Sequence, residues 1–398
     1  MLDLDLNFIQ GPLPDSFQAL TALEHLHIGS AGLTGTLPSW IGSFSSLGSL
    51  NLGYNVMHGT LPSELKNLQA LRELALDNNA FEGDVNALFS SGDLPSLREL
   101  FLDSNRFVGQ LGPDFAANMV NLTQLDLSDN AFSGTVPKHF FEFQHLEVLD
   151  IHDNNFVALP ESIVNNTSLK FLAAQKNSLT GNMSEIINLA ALTHLDLSQN
   201  ALTGPIPPTL GENIIGLNYL FLAENNFDAG KIPFSISNLF SLKELSLKST
   251  SRTGVIPPIM GMMSELVFLD LDNNSLDGDV PNTLGSLTNL KMLLLNRNNL
   301  VNEVPSEFAK LTQLQTLFLE GNSFSGGLDD FCEAIPEDST IEIIAQCSLC
   351  DTVPGCCTQC CDEGVACNSK THVADLDPMW QLSFERIDYA LDKEDNWR

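Results

Sequence analysis

The first 331 residues contain no cysteine, and the whole chain of 398 residues carries only 18 lysines and arginines against 50 aspartates and glutamates. The missing thiols exclude a disulfide framework or a cysteine-based metal site across that stretch. The formal net charge of −32 disfavours nucleic acid and anionic membrane surfaces as partners, because both carry the same sign. Basic or cation-bridged partners fit better. No apolar run approaches the roughly 18 residues that a membrane-spanning helix needs, so no transmembrane segment is expected. The N-terminus also lacks the basic flank and apolar stretch of a secretory signal.

The strong catalytic signatures are missing too: no G-x-S-x-G, H-E-x-x-H, phosphate-binding glycine loop or kinase motif set occurs. No enzyme activity and no cofactor are therefore expected. The stretch Asp270-Leu-Asp-Asn-Asn-Ser-Leu-Asp-Gly-Asp279 imitates the start of a calcium loop. Ser275 stands where the sharp-turn glycine belongs and Pro281 where the bidentate glutamate belongs, so it reads as part of the repeat below.

What the chain does have is self-similarity. The frame L-x-x-L-x-L-x-x-N recurs with its last position at Asn7, Ala31, Asn55, Asn79, Asn105, Asn130, Asn154, Asn177, Asn200, Asn225, Thr250, Asn274, Asn298 and Asn322. Leucines such as Leu97, Leu100 and Leu102 point inward from a short strand and are buried only when neighbouring repeats stack. The Asn after the strand has an amide suited to backbone groups left unpaired by the bend, so a ladder of amides is predicted. Two residues later a second apolar spine follows, at Phe81, Phe107, Phe132, Phe156, Phe227 and Phe324. Thr250 and Arg252 break both rules in one repeat, which predicts a local irregularity. The second half of each repeat reads G-x-[IVL]-P, as in Gly35 to Pro38 and Gly278 to Pro281. Glycine permits a turn with positive φ and proline stops a long helix, so short strands and 3₁₀ segments are expected there.

This signature, close in Ala201-Leu-Thr-Gly-Pro-Ile-Pro-Pro-Thr-Leu-Gly211, resembles the plant-type class of leucine-rich repeats over residues 1–328. The resemblance implies an α/β repeat solenoid, a horseshoe or superhelix with short parallel strands on its concave side. Because the chain enters at a strand, an upstream signal peptide and cap are expected.

The repeat gives way to eight clustered cysteines, Cys332, Cys347, Cys350, Cys356, Cys357, Cys360, Cys361 and Cys367, read as a disulfide-bonded cap over residues 329–368. Their C-x-x-C spacings leave zinc as an alternative. Cys356-Cys-Thr-Gln-Cys-Cys361, Asp377-Pro-Met-Trp380 and Phe384-Glu-Arg386 resemble the tail of secreted or receptor-like leucine-rich-repeat proteins of diatoms, which implies an extracellular or cell-surface protein. In the acidic tail, residues 369–398, Trp380, Phe384, Ile387 and Leu391 share one helical face. Glycosylation sequons begin at Asn121, Asn165, Asn166, Asn182 and Asn273.

The residues between the strand leucines alternate outward and would line the concave face. An acidic patch is expected from Glu73, Asp77, Glu99, Asp103, Asp126, Asp129, Asp150 and Asp153, with Phe101 and His152 among them. A solvated surface, a basic peptide or protein site, and a divalent-cation site are all open readings of it. Further along, Phe171, Tyr219, Phe221, Phe268 and Phe318 form an aromatic column, either exposed for a peptide or glycan or packed ring on ring. The leading reading is a recognition module for an extracellular peptide, protein or glycan, with a co-receptor as a further partner. The alternatives are an inhibitor of secreted polysaccharide-degrading enzymes, a piece of a receptor-like kinase ectodomain, and a structural wall or ice- or mineral-contacting protein.

Overall fold

The computed structural model describes residues 1–86, 88–89, 94–334, 341–350 and 356–361. Cys367 and the amphipathic helix expected around Trp380 to Leu391 lie outside the described residues. The chain divides into two units, Met1–Lys243 and Glu244–Arg398.

In the first unit, the strands Leu2–Asp3, His25–His27, Ser49–Asn51, Glu73–Ala75, Glu99–Phe101, Gln124–Asp126, Val148–Asp150, Phe171–Ala173, His194–Asp196 and Tyr219–Phe221 lie side by side in one parallel sheet. Their register is that of the repeat: Leu100 faces Leu125, which faces Leu149, then Leu172 and Leu195. The second unit carries the strands Glu244–Ser246, Phe268–Asp270, Met292–Leu294, Thr316–Phe318, Glu342–Gln346 and Gln359–Cys361, again all parallel. The last two belong to the cysteine-rich stretch, so the sheet continues past the final repeat into the cap. There Cys332 is bonded to Cys356, Cys347 to Cys360 and Cys350 to Cys357.

The expected interior is present. Leu97, Leu100 and Leu102 are fully enclosed, as are Phe81, Phe107, Phe132 and Phe156 of the second spine. Phe107 stacks on Phe132 and Phe132 on Phe156, with ring centroids 6.2 and 6.4 Å apart. Behind the main sheet, 3₁₀ segments such as Ser39–Ser43 and Asn282–Ser286 each begin after a proline whose carbonyl accepts the first turn's hydrogen bond. The proline closes the preceding extended stretch, and the short segment ends before a full helix can form.

The ladder amides bond as their chemistry predicts. Asn55 Nδ2 donates to the carbonyls of Ile28, Leu52 and Gly53 at 2.8 to 3.0 Å, while its Oδ1 accepts from the amides of Ala31 and Leu33. Each Asn therefore serves the backbone of its own repeat and of the one before. The residue just ahead of it holds a left-handed φ, as at Tyr54 (54°), Ser104 (52°) and Lys176 (53°). The irregularity expected at Thr250 is chemical. Thr250 Oγ1 donates to the Leu247 carbonyl at 2.6 Å in place of an Asn amide, and Arg252, only 1% exposed, occupies the place of a spine phenylalanine.

Candidate ligand-binding face

Three outward positions per repeat build the open face of the main sheet. In Glu99-Leu-Phe101-Leu-Asp103 they are Glu99, Phe101 and Asp103, and stacking turns them into three columns.

The first column begins with a relay. His27 Nε2, of the second column, is hydrogen-bonded to Ser49 Oγ at 2.6 Å, and Ser49 donates to Glu73 Oε2 at 2.6 Å. The serine proton is directed at the glutamate, so the histidine does not act on it as a base. Glu73 and Glu99 are register neighbours in this column. Asp126 and Asp150 face one another in the second column, beside Phe101. In the third column, Asp77 and Asp103 come from successive repeats, and Gly53 precedes them. A Cβ on Gly53 would lie 2.5 Å from Asp77 Oδ1, so glycine there makes room for the carboxylate.

A recurring device holds the second-column aspartates. Asp126 Oδ1 accepts from the Ser128 amide and hydroxyl at 2.9 and 2.6 Å, and Asp196 Oδ1 does the same with Ser198 at 2.9 and 2.7 Å. Asp150 Oδ1 takes the amide of His152 and its Nδ1, the latter at 2.6 Å. These bonds orient the carboxylates but do not neutralise the group. Burial pushes the Asp103 carboxyl up to about 9, with the charges of Asp126, Asp77 and Asp150 adding to the effect. Burial and then Asp150 raise Asp126 to about 7, and burial raises Asp77 as well. Within the expected acidic patch Asp77, Asp103 and Asp126 thus resist ionising, and the formal charge count overstates the charge of these three at neutral pH.

Of the two readings open for the aromatic residues, exposed rings or rings packed on one another, burial decides against exposure for the phenylalanines. Phe171 is 5% exposed, Phe221 0%, Phe268 3% and Phe318 0%, so these rings are not open platforms. Phe171 stacks on His194 at 4.3 Å, and His194 lies 5.2 Å from the ring of Tyr219 and 6.2 Å from Phe221. Ring-on-ring packing is what Phe171, His194, Tyr219 and Phe221 do, and the exposed face that stacking on a sugar would need is not offered by the buried phenylalanines. His194 escaped attention in the sequence because an isolated histidine carries no periodic signal, although it stands in one column with Phe171 and Tyr219.

The second unit holds a further polar cluster, of which the sequence drew attention only to the loop-like spacing of its aspartates. Asp270, Asp272, Asn296, Glu320 and Gln346 are all buried. Asp270 Oδ1 accepts the Asp272 amide at 2.9 Å, and Ser246 Oγ donates to Asp270 Oδ2 at 2.9 Å. Arg297 clamps Asp272 with two hydrogen bonds, Nε to Oδ1 at 2.7 Å and Nη2 to Oδ2. Burial raises both Asp270 and Glu320 to about 7. Among the described residues no group of acidic, histidine or cysteine side chains is arranged to hold a metal ion.

The sequons divide by geometry. Asn121, Asn182 and Asn273 are exposed. Asn166 is 3% exposed, and its side chain bonds the Phe143 carbonyl and the amides of Ser168 and Leu169, so the folded chain encloses this candidate. Among the described residues no helix is long and apolar enough to cross a membrane.

Comparison with known proteins agrees with this architecture. Profiles described as leucine rich repeat match residues 95–156, 120–179 and 264–324, and residues 191–213. "Cuscuta receptor 1" of Solanum lycopersicum is 32% identical over 129 residues, which make up 32% of this chain and 9% of that protein. The PEPR1–AtPEP1 crystal structure superposes with a TM-score of 0.76 at 32% identity, covering 86% of this chain and 51% of that one. The plant peptide hormone receptor RGFR1 in complex with RGF2 gives 0.71 at 26% identity, covering 85% and 62%. A leucine-rich-repeat protein of Leptospira interrogans gives 0.69 at 30% identity, covering 86% of this chain and 83% of its own. The chain thus spans about a tenth of the curated relative and half to three-fifths of the plant receptor structures. With its amide ladder, its proline-led 3₁₀ segments and these relatives, the chain belongs to the leucine-rich-repeat family.

Proposed function

We propose that the chain is an extracellular recognition module, receptor-like or secreted, that binds a peptide or protein bearing basic groups on the open face of its first unit. The observation that carries this reading is the convergence of Asp77, Asp103, Asp126 and Asp150: burial raises the pKa of the first three, and the neighbouring carboxylates raise Asp103 and Asp126 further. A cationic group arriving there restores their ionised form and gains charge-assisted hydrogen bonds in a desolvated setting. The same carboxyls repel one another when the face is empty, so the arrangement is better suited to a complex than to the free protein. The bond between a plant peptide hormone receptor and its peptide in a similar solved structure supports the ligand class. The disulfides of the cap support an oxidising compartment.

The test is a screen of basic peptides against the full chain and against the triple variant Asp103→Asn, Asp126→Asn, Asp150→Asn. Peptides that bind the native chain should lose at least about tenfold in affinity to the variant, and the native binding should weaken as salt is added. Peptides bound equally by both proteins would place recognition elsewhere.

A further inference from the structure

The polar cluster of the second unit differs from the acidic columns in one respect: it contains buried hydrogen-bonding atoms with nothing to bond. Extending the strand register by two residues places Asp272, Asn296, Glu320 and Gln346 side by side in the third column. Asn296 is 1% exposed, Glu320 7% and Gln346 6%. Both Oδ1 and Nδ2 of Asn296, Oε2 of Glu320 and Oε1 of Gln346 are enclosed without a hydrogen-bond partner. The Asn296 side chain is a weak hydrogen-bonding neighbour of Glu320 that favours its ionised form, without reaching full hydrogen-bond geometry. Burying such atoms unpaired costs about 1–3 kcal/mol each, and native proteins keep few of them.

The orphaned atoms specify what would satisfy them. Gln346 Nε2 donates to the Asn322 carbonyl, which fixes Oε1 as the free end and rules out a flipped amide. Asn296 lacks partners at both ends, so its orientation does not alter the inventory. The cluster therefore offers three acceptors, on Asn296, Glu320 and Gln346, and one donor, on Asn296. The acceptors come from three successive strands, and a guanidinium, which presents several donors in a planar fork, can meet more than one of them where an ammonium is a single point charge. Arg297 does not fill this role. Its guanidinium is committed to Asp272 and is 46% exposed, while the Glu320 carboxylate keeps a free oxygen. With Arg297 balanced by Asp272, Asp270 and Glu320 leave the cluster negative.

We propose that Asn296, Glu320 and Gln346 form a recognition site for an arginine residue of the ligand. The guanidinium donates to the Glu320 carboxylate and the two amide oxygens, and a backbone carbonyl of the same ligand accepts from Asn296 Nδ2. This site deepens the peptide-binding reading above and rests on it for the nature of the ligand. Its residues are separate from the acidic columns of the first unit.

The experiment titrates blocked arginine (acetyl-arginine-amide) and its neutral isostere, blocked citrulline, into the full chain, with calorimetry or saturation-transfer NMR as readout. Blocked arginine should bind on the order of a millimolar, and blocked citrulline at least about fivefold more weakly. Glu320→Gln, which keeps shape and removes charge, should weaken arginine binding about tenfold or more. Gln346→Leu, which removes one acceptor and no charge, should weaken it about threefold. Absence of arginine binding, equal binding of arginine and citrulline, or binding untouched by both substitutions would each overturn the site and leave these atoms to ordered water alone. Such a failure leaves the peptide screen on the first unit unaffected, and the screen's failure leaves this titration interpretable.

Discussion

At the scale of single residues, the informative side chains are those that oppose the fold. Asp103 is held neutral by burial and by Asp126, Asp77 and Asp150, whereas an unfolded chain ionises it freely. A carboxyl whose pKa is raised on folding loses native stability as pH climbs from the unfolded value of 3.8 toward the folded value of about 9. The native chain should therefore melt at higher temperature at pH 5 than at pH 8, and Asp103→Asn should flatten that slope and raise the melting temperature at pH 8. An unchanged slope in thermal melts of the variant would remove Asp103 as a contributor. Backbone strain offers a second probe at this scale. Ser104 holds φ at 52° ahead of the ladder Asn, a conformation that costs an ordinary residue about 1 kcal/mol and glycine almost nothing. Ser104→Gly should leave stability unchanged or raise it by up to about 0.5 kcal/mol once glycine's extra freedom in the unfolded chain is subtracted, while Ser104→Val should lower it by about 1–2 kcal/mol. Denaturant titration separates the two.

The element that organises each repeat is the strand with its following turn, and the ladder amide is its fastening. Asn130 Nδ2 donates to the carbonyls of Leu102, Leu127 and Ser128, and its Oδ1 receives the Phe107 amide. Asn130→Ala strands these backbone groups where water reaches them poorly, and should cost about 2–4 kcal/mol in urea unfolding. Asn130→Asp should recover only part of this, because it keeps the acceptor and loses the donor. These fastenings were legible in the sequence, since an invariant chemical demand at each bend repeats the same residue type. The proline-led 3₁₀ segments and the phenylalanine spine were legible for the same reason. The state of the outward columns was not. Their residues vary from repeat to repeat, and alternation tells which side a residue faces without telling how enclosed it is. That is why the sequence left Phe171, Phe221 and Phe268 open between exposed and packed rings, where the structure buries them, and why Asn296, Glu320 and Gln346 drew no attention. Whether Asn166 would be accessible likewise depended on a hydrogen bond to Phe143, 23 residues away, which no local motif encodes.

For the molecule as a whole, the cysteines mark where the repeat chemistry hands over to covalent closure. The strands Glu342–Gln346 and Gln359–Cys361 extend the sheet without a ladder amide of the repeat kind, and the bonds Cys332–Cys356, Cys347–Cys360 and Cys350–Cys357 take over the fastening there. Each closes a short loop, an arrangement worth about 2–4 kcal/mol through restriction of the unfolded chain. Reduction should accelerate hydrogen exchange in these two strands by two orders of magnitude or more, while amides of the first unit exchange at their former rate. Equal loss of protection throughout would mean that the cap and the repeats open as one cooperative body.

The ladder amide also carries a lesson about ancestry. Asn298 reaches back to the Leu271 carbonyl and Asn322 to that of Leu295, so each of these links spans one period and meets a socket of the same kind. A genetic event that removes or copies one whole period joins a socket to its own kind and leaves no bond dangling. A loss of half a period strands two. The chain's length is thus free to drift in whole steps, so that natural variants are expected to differ by complete coils, and the reach of the recognition surface can be tuned by duplication without redesign of the interior.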